Sequence, residues 1–176
     1  MLNVPQTKRQ KMVASGSYFE RKVASMIIMS IDCKIFINPK FYSHSLHRGT
    51  ECDLLVISPS KIYCIECKNY NGFISGSKYD KTWRFVSSGK LGHVQNPYLL
   101  NNKHIRLVRG TFYKRNLRPL DIENIIVVPD KCNIHVEDCN VVNLSELLKR
   151  LSFEFRSNKP LYNIDLLEKY FNDVIM

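Results

Sequence analysis

Two carboxylates and a lysine, set by the spacing of two strands, define the chemistry open to this chain. In residues 51–72, ECDLLVISPSKIYCIECKNYNG, two strand-like runs at 51–57 and 62–68 flank the turn-forming Ser58-Pro59-Ser60-Lys61, which is the pattern of a β-hairpin. If Ile57 pairs with Ile62, paired residue numbers sum to 119, so Asp53 lies opposite Glu66 and Glu51 opposite Lys68. Alternation then places Asp53, Glu66 and Lys68 on one face with Leu55, Ile57, Ile62 and Cys64. The other face carries Leu54, Val56, Tyr63 and Ile65, so both sides of the hairpin are apolar enough to be buried. Facing carboxylates about 5 Å apart repel by roughly 3 kcal/mol at an effective dielectric of about 20. A cation belongs between them.

Two cations satisfy that demand. Lys68 alone makes the trio a structural ion-pair cluster. A hard divalent ion such as Mg²⁺, which takes oxygen ligands at about 2.0–2.1 Å and keeps several waters beside one or two carboxylates, makes it a metal site. Lys68 is then left to orient a water or balance a phosphate. The trio by itself leaves both readings open.

The run Glu66-Cys67-Lys68-Asn69-Tyr70-Asn71-Gly72, after a strand bearing Asp53, resembles the nuclease-related domain (NERD) of the PD-(D/E)xK nuclease superfamily. The resemblance spans residues 16–151 and takes in an early helix with Glu20, the Trp83 stretch, and Asn96-Pro97 opening a helix that contains His104. The chain departs from the family pattern at Phe19, often Gly there, and at Leu100, often Gln; Gln95 does not align with that Gln. What the resemblance implies is an α/β, restriction-endonuclease-like core with a central mixed β-sheet flanked by α-helices. It implies Mg²⁺ or Mn²⁺ held by Asp53, Glu66 and the backbone carbonyl of Cys67, with Lys68 positioning the nucleophile or the phosphate and Glu20 as an assisting acid. It implies metal-dependent hydrolysis of DNA phosphodiester bonds. The alternative function is a nucleic-acid-binding accessory module whose nuclease site is weak or inactive.

The elements that position these groups follow from the remaining pattern. A chain of 176 residues suits one domain with a real core, expected at residues 15–176 behind a flexible basic arm at 1–14 bearing Lys8, Arg9 and Lys11. A helix is predicted from Ser17 to Ile31, where Ser17 and Glu20 form a capping-box spacing. Glu20 therefore either caps that helix or, as the resemblance implies, reaches the metal. Strands are predicted at 34–37, 73–77, 83–86, 122–128 and 136–142 and helices at 97–113, 143–151 and 164–174, the third-last capped by Asn96 and the second-last by Asn143 with Glu146. On the 97–113 helix Leu100, His104, Val108 and Phe112 mark the buried face, His104 reading as a core histidine and Trp83 as a packing residue.

The net charge of +10 and pI near 9.4 point to polyanions, nucleic acid before membrane. Arg48, Lys103, Arg106 and Arg109 are the candidate nucleic-acid contacts, with DNA as the partner. The choice between a homodimer and another DNA-processing protein as a further partner stays open. No apolar run reaches the roughly 20 residues of a membrane span and the basic start lacks a signal-peptide pattern, so a cytoplasmic location is expected. The six cysteines are too sparse for a disulfide scaffold. Cys64 and Cys67 face opposite ways in the hairpin, which argues against zinc, and Cys52 is expected beside Cys67 as a reduced thiol. His44-x-x-His47 lacks a third ligand nearby.

Overall fold

In the computed structural model, which describes residues 8–43, 47–113, 121–157 and 161–176, the chain runs α1 (Lys8–Ser30), β1 (Lys34–Ile37), β2 (Lys40–Ser43), β3 (Arg48–Glu51), β4 (Leu54–Ile57), β5 (Ile62–Cys67), β6 (Phe73–Ser77), β7 (Thr82–Ser87), β8 (Lys90–Gln95), α2 (Pro97–Tyr113), β9 (Ile122–Val128), β10 (Asn133–Glu137), β11 (Val141–Asn143), α3 (Leu144–Ser157) and α4 (Ile164–Asn172). The predicted hairpin is β4–β5, with Leu54 paired to Ile65 and Ile57 to Ile62, the register expected from the turn length. Ser58 closes that turn: its N–H donates to the Lys61 carbonyl at 2.9 Å, and its hydroxyl oxygen accepts the Lys61 N–H at 2.9 Å.

The hairpin lies inside a five-stranded sheet of order β1-β4-β5-β9-β11. β1, β4 and β5 run antiparallel, whereas β9 and β11 are parallel to β5, so the sheet is mixed. Strand alternation sorts its side chains into two cores. Leu54, Val56, Tyr63, Ile65, Ile125 and Val127 pack with Phe19, Val23 and Ile27 of α1 and Leu147 and Leu151 of α3. Leu55, Ile57, Ile62 and Cys64 pack with Ile105 and Val108 of α2 and Leu167 and Phe171 of α4. This is the helix-flanked α/β core that the resemblance implied. A second sheet, β10-β6-β7-β8, buries Trp83 completely. Trp83 packs as expected, with its indole N–H donated to the Ser77 carbonyl at 2.8 Å. A Cβ on Gly76 would come within 2.3 Å of the indole, which explains the glycine there.

Several expectations are corrected by longer-range structure. α1 begins at Lys8, so residues 8–14 are helical rather than a loose arm; residues 1–7 lie outside the described residues. Ser17 is therefore mid-helix and cannot cap it with Glu20. The predicted strand 136–142 is split into β10 and β11 around Asp138, whose φ of 58° breaks the extended run. α3 is capped differently too. The Asn143 amide donates to the carbonyls of Pro129 and Cys132, and Asp130 accepts the Ser145 N–H at 2.8 Å instead. β8 escaped the sequence reading.

Beyond its first turn α2 buries Asn101, Ile105, Leu107 and Val108, with Leu100 and His104 only partly covered; the side chain of Phe112 is outside the described set. Asn101 is a buried clamp between layers, donating to the Cys64 carbonyl and to Asn124 Oδ1 at 2.8 Å each while its own oxygen accepts from Cys64 Sγ at 3.0 Å. Asn124 in turn donates to the Tyr98 carbonyl at 2.9 Å. Replacing Asn101 by Leu strands polar groups that burial keeps from water. Stability should fall by about 2–4 kcal/mol, read as a lower urea midpoint at unchanged m-value. A wild-type midpoint would show that the clamp contributes nothing.

Candidate active site

The site forms where the chain changes strand partners. β3 pairs with β2 and β4 with β1, so residues 52 and 53 fall between two ladders rather than in the single strand 51–57 that was predicted. Pro39 accepts the Cys52 N–H at 3.2 Å, and Asp53 accepts the Asn38 N–H through its carbonyl at 2.8 Å. Released from regular alternation, the Asp53 side chain folds across the end of β5, where Oδ2 accepts the Cys67 N–H at 2.7 Å. Glu66, only 5% exposed, projects from β5, and its Oε1 lies 2.5 Å from Lys68 Nζ. Lys68 is fixed by donating its backbone N–H to the Val127 carbonyl at 2.9 Å, one residue beyond the end of β5.

Glu20 completes an acidic trio. With no helix end to cap, its carboxyl lies in the fields of Asp53 and Lys68 and accepts a hydrogen bond from the Asn38 side chain; burial first, then the Asp53 charge, pushes its pKa up. Asp53 itself is raised from 3.8 to about 6, by burial and by Glu66, against the opposing pull of the Cys67 N–H and of Lys68. Lys68 is held charged: burial works against its ammonium, but Glu66 and Asp53 outweigh it and raise its pKa. Three acids thus face one lysine. All the donors are hard oxygens, and among the described residues no three Cys, His, Asp or Glu side chains close into a cage. That set fits a cation that retains several waters, such as Mg²⁺ or Mn²⁺, better than zinc.

The structure adds a residue that the sequence assigned to the core. His104 of α2 hydrogen-bonds through Nδ1 to the Thr50 hydroxyl, and its Nε2 lies 4.0 Å from Glu66 Oε2. Burial lowers its pKa, so the ring is neutral near pH 7. The carboxylate beside Nε2 favours the proton on that nitrogen, which makes Thr50 the donor to Nδ1. No local signal marks this role, because Thr50 and His104 are 54 residues apart.

The basic candidates are placed around this centre unequally. Arg48, Lys103, Arg106 and Arg109 are all exposed. Arg48 shares a side of β3 with Thr50 by alternation, and Lys103 precedes His104. Arg109 is tied down, donating to the Ile122 carbonyl at 3.1 Å. His47 is exposed, whereas His44 lies outside the described residues.

The cysteines divide between the two cores as expected for Cys64 and Cys67. Cys52 is a correction: the break at residues 52–53 turns it into the core of Cys64, to which it is hydrogen-bonded, rather than beside Cys67. Burial pushes the Cys67 thiol well up, and the Cys52 contact followed by burial does the same to Cys64. Both are packing thiols. The double change Cys64→Ala, Cys67→Ala should lower stability by about 1–3 kcal/mol and leave metal-dependent activity qualitatively intact. Stoichiometric zinc in the wild-type protein, lost in a folded double variant, would reverse this assignment.

Comparison with known proteins gives three findings. The family model of the nuclease-related domain, NERD, matches residues 15–129. An uncharacterised protein of Bacillus anthracis is 28% identical over 105 residues, which are 57% of this chain and 48% of that protein; the chain spans about half the length of that relative. The small subunit of the heterodimeric restriction endonuclease R.BspD6I superimposes with a TM-score of 0.35 at 12% identity, over 89% of this chain and 78% of the other.

Proposed function

Because this chain belongs to the nuclease-related domain family, we propose that it hydrolyses phosphodiester bonds in DNA with a divalent metal ion held by Asp53, Glu66 and the backbone carbonyl of Cys67. The observation that carries this reading is the excess of negative charge at buried Glu66 and half-buried Asp53 and Glu20, which Lys68 alone does not balance. When bound, Mg²⁺ or Mn²⁺ supplies Lewis-acid polarisation of the phosphate and a lowered pKa for water. The chain supplies the rest. Asp53 is oriented by the Cys67 N–H, which occupies one carboxylate oxygen and leaves the other to the site. Glu66 is gripped by Lys68, with the His104 ring against its second oxygen.

Lys68 keeps its charge in a half-desolvated position, where an ammonium stabilises developing negative charge on a phosphate more strongly than it would in water. The same ammonium can instead hold the attacking water through its remaining protons. Glu20 approaches from α1 and assists, as an acceptor for water at the site.

The test is cleavage of linear, nicked, branched and single-stranded DNA in Mg²⁺, in Mn²⁺ and in chelator. Cleavage that requires metal is expected. DNA binding that persists in chelator, with no cleavage of any substrate in metal, would mark a binding module instead. Affinity should also depend steeply on salt: if Arg48, Lys103, Arg106 and Arg109 neutralise four phosphates, it falls about 100-fold between roughly 50 and 200 mM salt. A flat salt dependence would remove the electrostatic argument for DNA. No helix among the described residues is long and apolar enough to cross a membrane.

A further inference from the structure

The second sheet carries a polar concavity that the proposed cleavage site does not use. Its inner face packs Ile74 and Trp83 into the core, so alternation turns Ser75, Thr82, Arg84 and His93 outward. Register aligns them across three strands: Ser75 pairs with Arg84, and Arg84 with His93. Together with Gly76 and Asp80 these side chains line a cavity of about 370 Å³. Asp80 is partly spent there, because its Oδ2 accepts the Ser77 N–H at 2.8 Å and closes the β6–β7 turn.

The Arg84 charge is not taken up by an ion pair among the described residues. An unpaired guanidinium, an imidazole and two hydroxyls in one concavity form a donor set for a tetrahedral oxyanion, and the planar fork of Arg suits phosphate oxygens. The position also fits a polymeric ligand. Ser75 is seven residues beyond Lys68, so the backbone limits their separation to about 25 Å. That is roughly the rise of seven nucleotides along one strand.

We propose that the outer face of β6, β7 and β8 is a phosphate-binding subsite, in which Arg84 and His93, with the hydroxyls of Ser75 and Thr82, hold a backbone phosphate of the nucleic acid cleaved at Asp53, Glu66 and Lys68. The assignment to a backbone phosphate rests on the nuclease reading; the phosphate chemistry of the cavity does not. A free phosphate and a nucleic-acid phosphate offer the same oxygens, so the test needs an arm for each.

In the first arm, inorganic phosphate is titrated into the full chain while the His93 ring is followed by NMR. A saturable shift is expected in the wild type, and Arg84→Gln should weaken it at least tenfold while Arg84→Lys retains part of it. In the second arm, Arg84→Gln should raise KM for a 20-base-pair duplex about tenfold and make the logarithmic salt slope shallower by about 0.9. Its kcat on that duplex should stay at the wild-type value. Hydrolysis of bis(p-nitrophenyl) phosphate, a diester too small to reach beyond the cleavage site, should be unaffected.

Absence of a His93 response to phosphate, together with wild-type DNA affinity and salt slope in Arg84→Gln, would overturn the subsite and leave the nuclease reading standing. A phosphate response that Arg84→Gln abolishes, with DNA neither bound nor cut by the wild type, would overturn the backbone assignment along with the nuclease reading and leave a site for a free anion. Arg84 is exposed on the outer face of β7, so both variants should fold.

Discussion

Asp53→Asn and Glu66→Gln should each reduce metal-dependent DNA cleavage by about 100- to 1,000-fold, the scale set by removing one preorganised electrostatic group from an active site. Each change keeps the shape of the side chain and removes only its charge. The amide in Asp53→Asn would still offer an oxygen to the Cys67 N–H that Asp53 now accepts at 2.7 Å, so a fall in rate would report lost metal binding rather than a displaced loop. DNA affinity should largely survive, because the exposed basic residues are untouched. The ion-pair reading assigns the opposite consequence. If Glu66 existed to hold Lys68, Glu66→Gln would leave a buried ammonium poorly compensated and destabilise the fold without selectively removing any metal-dependent property. Thermal midpoints with and without Mg²⁺ or Mn²⁺, measured alongside cleavage, separate the two, since a ligand that binds only the folded state raises its midpoint. Two folded variants that cut DNA at the wild-type rate, with unchanged stabilisation by metal, would remove this pair from the active site.

What could be read in advance was whatever rested on local periodicity. The β4–β5 register followed from a four-residue loop and period-two alternation, and both faces proved buried as the apolar pattern required. The break at Cys52 and Asp53 could not be read, because it arises from β3 and β4 having different partners, β2 and β1. That break is what aims Asp53. Ser17 and Glu20 show the converse failure: a spacing that looks like a cap has no meaning in the middle of a helix that starts nine residues earlier. His104 was legible as a core-facing helical residue but not as a neighbour of Glu66, since α2 reaches the site through packing on β2, β3, β5 and β9, all distant in sequence from one another or from it. β8 was missed because Lys90-Leu91-Gly92-His93-Val94-Gln95 is a weak strand signal alone, made regular by pairing along β7.

The stability of the metal-free protein provides the second large effect, and its dependence on pH follows from Asp53. In the fold this carboxyl titrates at about 6 rather than at 3.8, chiefly through burial and secondly through Glu66. A folded-state pKa above the unfolded one means that the unfolded chain ionises first as pH rises. The associated stability is therefore complete below about 3.8 and lost as pH passes 6, a loss of about 3 kcal/mol for that interval. His104 works against this trend: burial lowers its pKa, so its contribution is present above its ordinary value and is lost as pH falls. Comparing wild type with Asp53→Asn cancels the burial part of the His104 shift, its largest cause, and leaves only the smaller attraction between His104 and Asp53. In chelator the two should be similarly stable at pH 4, and Asp53→Asn should become the more stable by about 3 kcal/mol at pH 7.5. Mg²⁺ should close or invert that gap by stabilising only the wild type. Lys68→Met should have the opposite sign in chelator at pH 7.5, destabilising the protein because it removes the cation that lies 2.5 Å from Glu66. Urea melts across this pH range read all three proteins directly. A wild-type-minus-variant difference that does not change between pH 4 and 7.5 would mean that Asp53 carries no buried charge conflict, and with it would go the electrostatic demand for a metal ion.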